Sequence, residues 1–186
     1  MSCLVLPQNR NSHINKGRIY FWTATINKWQ RLLEKEAYKK VILDSLEYLT
    51  NKGCIDVFAF VIMPNHIHLI WRIKTSNGRE SSQGSFLKYT AHRFQKMLQK
   101  ENAQTLANYR VNASNKRHEF WQRDSLAIPL FTRKVALQKL NYLHNNPLAE
   151  RWQLATDPCD YPYSSARYYE RNEKNYAFLK DLWEEI

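Results

Sequence analysis

The hydrophobic pattern of residues 17–26, Gly-Arg-Ile-Tyr-Phe-Trp-Thr-Ala-Thr-Ile, alternates β-branched and aromatic residues and predicts a first β-strand, whose successive side chains point to opposite faces. Arg18, Tyr20, Trp22 and Ala24 share one of those faces. Between residues 34 and 51 the period lengthens: Tyr38, Ile42, Ser45/Leu46 and Leu49 recur at helical spacing, and Gly53 follows as a stop. Residues 54–63 and 66–74 are two β-rich runs broken by Pro64-Asn65, the pattern of a hairpin.

A polar loop over 75–84 precedes a second helix over 86–100, with Leu87, Ala91, Phe94 and Leu98 on one face and Lys88, His92 and Arg93 on another. Residues 101–118 are Asn-rich and weakly periodic, so they read as a loop or insertion. Phe120-Trp-Gln-Arg123 leads into a fourth strand over 125–131, where Pro129 suits an edge position. Thr132 can cap a third helix running from Arg133 to about Asn146, ended by Pro147. A turn-like Asp160-Tyr-Pro-Tyr-Ser-Ser165 and a closing helix over 173–185 complete the chain. This order is α+β: a ferredoxin-like antiparallel sheet with helices packed on one side of it. Residues 1–186 read as a single domain whose last part, 147–186, is a C-terminal extension.

The third strand carries His66 and His68 two positions apart, so both imidazoles share a face with Cα atoms roughly 6.5 Å apart, within reach of one cation. Ile67 between them faces the core. A lone strand histidine is ordinarily a satisfied core residue, so further ligands must come from elsewhere. On the third helix, Tyr142 and Asn146 stand at i and i+4 on one face, while Ala136, Leu140 and Leu143 form the face that packs. A phenol can attack a phosphodiester, but with a pKa near 10 in water it needs a cation nearby. The histidine pair can hold that cation, and Asn146 offers an amide oxygen as a third ligand for Mg2+ or Mn2+.

Charge points to the substrate. Among 186 residues, 28 Lys and Arg against 17 Asp and Glu leave a formal charge of +11, which favours a polyanion such as nucleic acid. Trp, Tyr and Phe interleaved with these cations are groups that stack on unpaired bases. The odd, scattered Cys3, Cys54 and Cys159 offer neither a disulfide framework nor a CxxC zinc motif. No stretch approaches a membrane span or a signal peptide, so a cytoplasmic protein is expected.

Met63-Pro-Asn-His-Ile-His-Leu-Ile70 resembles the HUH motif of the IS200/IS605-like single-tyrosine transposases, and Asn141-Tyr-Leu-His-Asn-Asn-Pro-Leu148 resembles the tyrosine helix of their REP-associated branch. Phe120-Trp-Gln-Arg123 and Asp160-Tyr-Pro-Tyr-Ser-Ser165 resemble two further motifs of that group, in the same order. The resemblance runs from about Gly17 to Tyr168. It implies a transposase IS200-like fold in which His66 and His68 bind a divalent ion and Tyr142 is the nucleophile. Asn146 stands where IS200-type enzymes carry a glutamine ligand. The implied activity is cleavage and rejoining of single-stranded DNA beside a hairpin, through a 5′-phosphotyrosine and a free 3′-OH.

Lys139, one turn before Tyr142, is the first candidate phosphate holder; Arg18 and Arg123 follow, with Lys88, Arg93 and Arg133 behind them. The resemblance allows a homodimer, although the extended tail favours a monomer with its site in cis. A non-catalytic hairpin-binding protein descended from a transposase is the alternative. A zinc hydrolase lacks a recognisable set of further Asp, Glu or Cys ligands.

Overall fold

The computed structural model describes residues 14–114, 116–123 and 125–186. In chain order the elements are β1 (Ile19–Thr25), α1 (Glu36–Asn51), β2 (Ile55–Ile62), β3 (His66–Ile73), β4 (Ser76–Asn77), β5 (Glu80–Ser81), α2 (Ser82–Glu101), α3 (Ala103–Ala107), β6 (Arg110–Ala113), β7 (Lys116–His118), β8 (Leu126–Pro129), α4 (Arg133–Asn145) and α5 (Ala166–Arg171). Four strands form one antiparallel sheet in the order β2-β3-β1-β8. No helix among the described residues is long and apolar enough to cross a membrane.

The sheet has two buried faces because its strands carry two apolar sets. Tyr20, Trp22 and Ala24 of β1 join Ile67, Leu69 and Trp71 of β3 in one cluster, with Ile42 and Leu46 of α1 and Phe86 and Phe94 of α2. Trp22 and Trp71 stack there with ring centroids 4.8 Å apart. Ile19 and Phe21, with Ile70 of β3, pack on the other side beneath Ala136, Leu140 and Leu143 of α4. Helices on one side only are therefore incorrect: α1 and α2 cover one face and α4 the other. Burying each such leucine stabilises the fold by about 2 kcal/mol.

Three other expectations are corrected. First, α2 starts at Ser82, capped by Ser81, and its buried stripe is Ser82, Phe86, Thr90, Phe94 and Leu98, one position round from Leu87 and Ala91. Thr90 tolerates burial because its hydroxyl donates to the Phe86 carbonyl (2.8 Å) and accepts from Trp121 Nε1 (2.9 Å). Second, the 101–118 segment is built from α3 and a β6-β7 hairpin, anchored by buried Leu106 and by Tyr109 stacked on Phe120 at 4.6 Å.

Third, no helix spans 173–185; only a single 3-10 turn forms, at Leu182–Glu184. Phe178 and Leu179 enter the first cluster and Leu182 the second, so this chain must wrap the β2 edge, which a helix could not do. The same edge is closed upstream. Residues 161–165 run beside β2, with Ile62 N–H donating to the Tyr163 carbonyl and Ser165 N–H to the Phe60 carbonyl, both at 2.9 Å. Backbone groups that an edge strand ordinarily exposes are thereby paired.

The tail is pinned by charge as well. Buried Asp56 holds Arg72 and Lys180, each at 2.7 Å, and Arg72 holds Glu185 at 2.7 Å. Burial works to raise the Asp56 carboxyl, but hydrogen bonds and charge from Lys180 and Arg72 outweigh it and hold it below the ordinary carboxylate range. A carboxyl depressed on folding stabilises the protein above its unfolded pKa and loses that contribution as pH falls through the folded value. Asp56→Asn is expected to lower stability by about 2 kcal/mol at neutral pH. It should also flatten the loss between roughly pH 5 and pH 3. Thermal melts across that range test this; superimposable acid profiles for parent and variant would disprove it.

Candidate active site

The β2-β3 turn sets the histidines. Met63 N–H donates to the His66 carbonyl at 2.8 Å across Pro64-Asn65, and β3 then pairs with β1 so that Thr25 faces His66 and Thr23 faces His68. Both imidazoles lie on the α4 side, with ring centroids 4.7 Å apart. Each has one nitrogen engaged: His66 Nδ1 lies 2.7 Å from Asn65 Oδ1, and His68 Nδ1 lies 2.7 Å from Thr23 Oγ1. A carboxamide oxygen can only accept, so His66 carries its proton on Nδ1 and leaves the Nε2 lone pair free. Partners of this kind fix ring orientation at metal sites.

Both rings are kept neutral. Burial, then the Arg151 charge, lowers His66 to about 4, opposed by the nearby Asn146 amide, toward which a protonated ring would donate. His68 is pushed well below its ordinary value by burial first, then by His66, Arg151 and Lys139.

α4 brings the other half. Thr132 caps it, accepting from Val135 N–H, and its packed face seats Leu140 and Leu143 on the sheet. Tyr142 therefore turns outward, 49% exposed, yet its ring centroid lies 5.4 Å from His68 and 5.9 Å from Phe21. Phe21 stacks on His68 at 5.1 Å. One turn on, Asn146 is buried, with Nδ2 3.4 Å from His68 Nε2 and Oδ1 enclosed without a hydrogen-bond partner. A buried acceptor left unpaired costs about 1–3 kcal/mol.

A half-turn of the amide exchanges its oxygen and nitrogen, presenting the oxygen to the imidazoles. Two neutral imidazoles and one amide oxygen thus fit a divalent cation of intermediate hardness. Among the described residues no group of three His, Cys, Asp or Glu could hold a metal. The mixed donor set is the alternative.

The cleft lined by Phe21, His66, His68 and Tyr142 has a volume of about 250 Å3 and is walled further by Thr23, Thr25, Trp29, Leu126, Ile128, Lys139 and Arg151. Lys139 lies over the Phe21 ring at 5.2 Å and 5.9 Å from the Tyr142 ring. The remaining proposed cations are elsewhere. Arg18 sits on the Phe131 ring, roughly 17 Å along β1 from Thr23. Arg123 pairs with Glu119, Lys88 with Glu80, and Arg133 lies over Trp183. Arg93, on α2, belongs to the opposite face of the sheet.

The same arrangement of strands and helices occurs in a solved structure of a REP-associated tyrosine transposase bound to a REP hairpin, with TM-score 0.59 and 17% identity over 91% of this chain and 89% of that one. The two proteins share a fold. A transposase assignment from Deinococcus radiodurans R1 aligns more loosely, with TM-score 0.43 and 14% identity over 71% of this chain and 97% of that one. No family model and no curated protein matches the chain.

Within that shared fold, several cleft residues escape a reading of the sequence. Asn65 lies within the Met63–Ile70 motif, although its hold on His66 shows only in the fold; Thr23 and Phe21 require the β1-β3 register. Arg151 and Trp29 carry no local signal. Lys28 and Trp29 both adopt left-handed backbone, with φ of 55° and 57°, a conformation costing non-glycine residues roughly 1–2 kcal/mol each.

Proposed function

We propose that this chain is a metal-dependent single-stranded DNA endonuclease and strand transferase of the HUH type, belonging with the REP-associated branch of the IS200/IS605-like transposases. The observation that carries this reading is Tyr142 standing 5.4 Å, ring to ring, from His68 in a cleft also lined by His66, with Asn146 buried against His68. The +11 charge and the shared fold support it.

In the reaction, the Tyr142 oxygen bonds to phosphorus and the bond to the 3′ oxygen breaks. The phenol proton is lost and the departing oxygen gains one, leaving a 5′-phosphotyrosine and a 3′-OH. No external energy source is needed, because the covalent bond conserves the phosphodiester for reversal. A divalent ion, Mg2+ or Mn2+, held by His66, His68 and Asn146 would supply positive charge to polarise the scissile phosphate. Lys139 holds phosphate at the tyrosine side, and Phe21 fixes the His68 plane beneath it.

The test is incubation with hairpin-bearing single strands taken from the DNA flanking its own coding region, with Mn2+ or with a chelator, followed by denaturing electrophoresis. A Mn2+-dependent covalent adduct is expected. Tight binding with no adduct under any divalent ion would leave a hairpin-binding protein without chemistry. Asn65→Ala should weaken Mn2+ binding by about 10- to 100-fold through loss of His66 orientation. Calorimetric titration measures this, and unchanged affinity would remove Asn65 from the site.

A further inference from the structure

We propose that Trp29 is the platform on which an unpaired nucleobase next to the cleaved phosphate stacks. The inference rests on the single-stranded DNA reading above and names the residue that reads the strand's flank. Trp29 is 59% exposed although it lines the cleft of His66, His68 and Tyr142. An indole of this size is ordinarily buried when the fold allows it. Here the backbone holds it out.

The turn bearing it is over-determined by hydrogen bonds. Trp29 N–H donates to the Ile26 carbonyl at 2.9 Å, and Asn27 donates through its backbone to the Phe120 carbonyl at 2.7 Å and through Nδ2 to the Glu119 carbonyl at 3.2 Å. Asn65 Nδ2 donates to the Trp29 carbonyl at 3.2 Å. Strain retained under such restraint, with a large apolar group kept in water, is a mark of a ligand clamp.

Asn65 also fixes the distance. The same carboxamide whose nitrogen holds the Trp29 carbonyl has its oxygen on His66 Nδ1. One side chain therefore ties the indole's turn to the metal-ligand candidate, placing a stacked base beside the reacting phosphate rather than elsewhere on the strand. Cations suited to the flanking phosphates stand around it. Lys139 and Arg151 line the same cleft as Trp29, and Arg151 lies over the Trp152 ring at 5.5 Å. An exposed aromatic face in a cleft with two cations takes a single-stranded nucleic acid and tolerates any base, since every base has a π-face.

The experiment separates binding from chemistry by using a Tyr142→Phe background. Hairpin oligonucleotides with single-stranded tails carry 2-aminopurine at successive positions, and affinity is read by fluorescence anisotropy. One position is expected to be quenched on binding, and Trp29→Ala should abolish that quenching. Trp29→Ala should weaken binding by about 5- to 150-fold and Trp29→Phe by less than about 5-fold. An abasic site at the quenched position should weaken the Trp29 protein by the same factor and the alanine variant no further.

Unchanged affinity in Trp29→Ala, or equal abasic sensitivity with and without the indole, overturns the proposal. Failure of every tailed oligonucleotide to bind overturns it together with the DNA reading. Quenching at one position by Trp29, with no adduct in the Tyr142 protein, would retain the platform and reject the strand-transfer chemistry.

Discussion

Tyr142→Phe is expected to reduce formation of the covalent protein-DNA adduct by at least about 1,000-fold, while hairpin binding changes by less than about threefold. The substitution removes one oxygen from an exposed ring, so the Phe21 and His68 contacts persist and the fold has no reason to change. Adduct yield on denaturing gels and anisotropy with the same oligonucleotide separate the two effects. Persistence of the adduct would mean another tyrosine attacks DNA. The structure leaves few: Tyr161 is buried with its hydroxyl committed to the Ile62 carbonyl at 2.7 Å, and burial raises its pKa. Tyr163 is likewise raised by burial and then by Glu36, and Tyr89 lies on α2 across the sheet.

His68→Ala is expected to have the second large effect, through the metal. One of two imidazole nitrogens facing Asn146 disappears, so Mn2+ affinity should fall by 100-fold or more and the adduct by about 1,000-fold. Phe21 loses its stacking partner and Thr23 its hydrogen bond, so a moderate fall in melting temperature accompanies this. His68→Gln retains a polar group of similar reach and serves as the control for folding. Wild-type Mn2+ binding by a folded His68→Ala protein would remove His68 as a ligand. Full adduct yield without divalent ion would dispose of the metal's role altogether.

Much of this arrangement could be read before folding because it rests on local periodicity. His66 and His68 share a face by strand geometry alone, and Tyr142 and Asn146 by helix geometry alone. That the two pairs meet follows from a fact no local pattern carries: α4 crosses the sheet on the side opposite α1 and α2. The strands announced it indirectly, since β1 has apolar Ile19 and Phe21 alternating with an equally apolar Tyr20 and Trp22. Arg18 lies away from the cleft for a related reason. Residue type marks it as a phosphate holder, whereas its position before β1 puts it at the end of the sheet away from the histidines. The 173–185 segment misled because its apolar residues serve both faces around an edge, a demand that mimics helical spacing. Trp29 and Arg151 enter through turns whose geometry depends on distant partners.

The tail's grip on β2 reaches the tyrosine. Ser165 accepts from the Phe60 N–H at 3.0 Å and lies 2.9 Å from His144 Nε2, two residues beyond Tyr142. A segment that looks like an appendage thus clasps the helix of Tyr142 to the strand beside the histidines. The tail is thus part of the cleft's framework: opening the Ser165 latch would loosen the helix that carries Tyr142 from the strand it rests on.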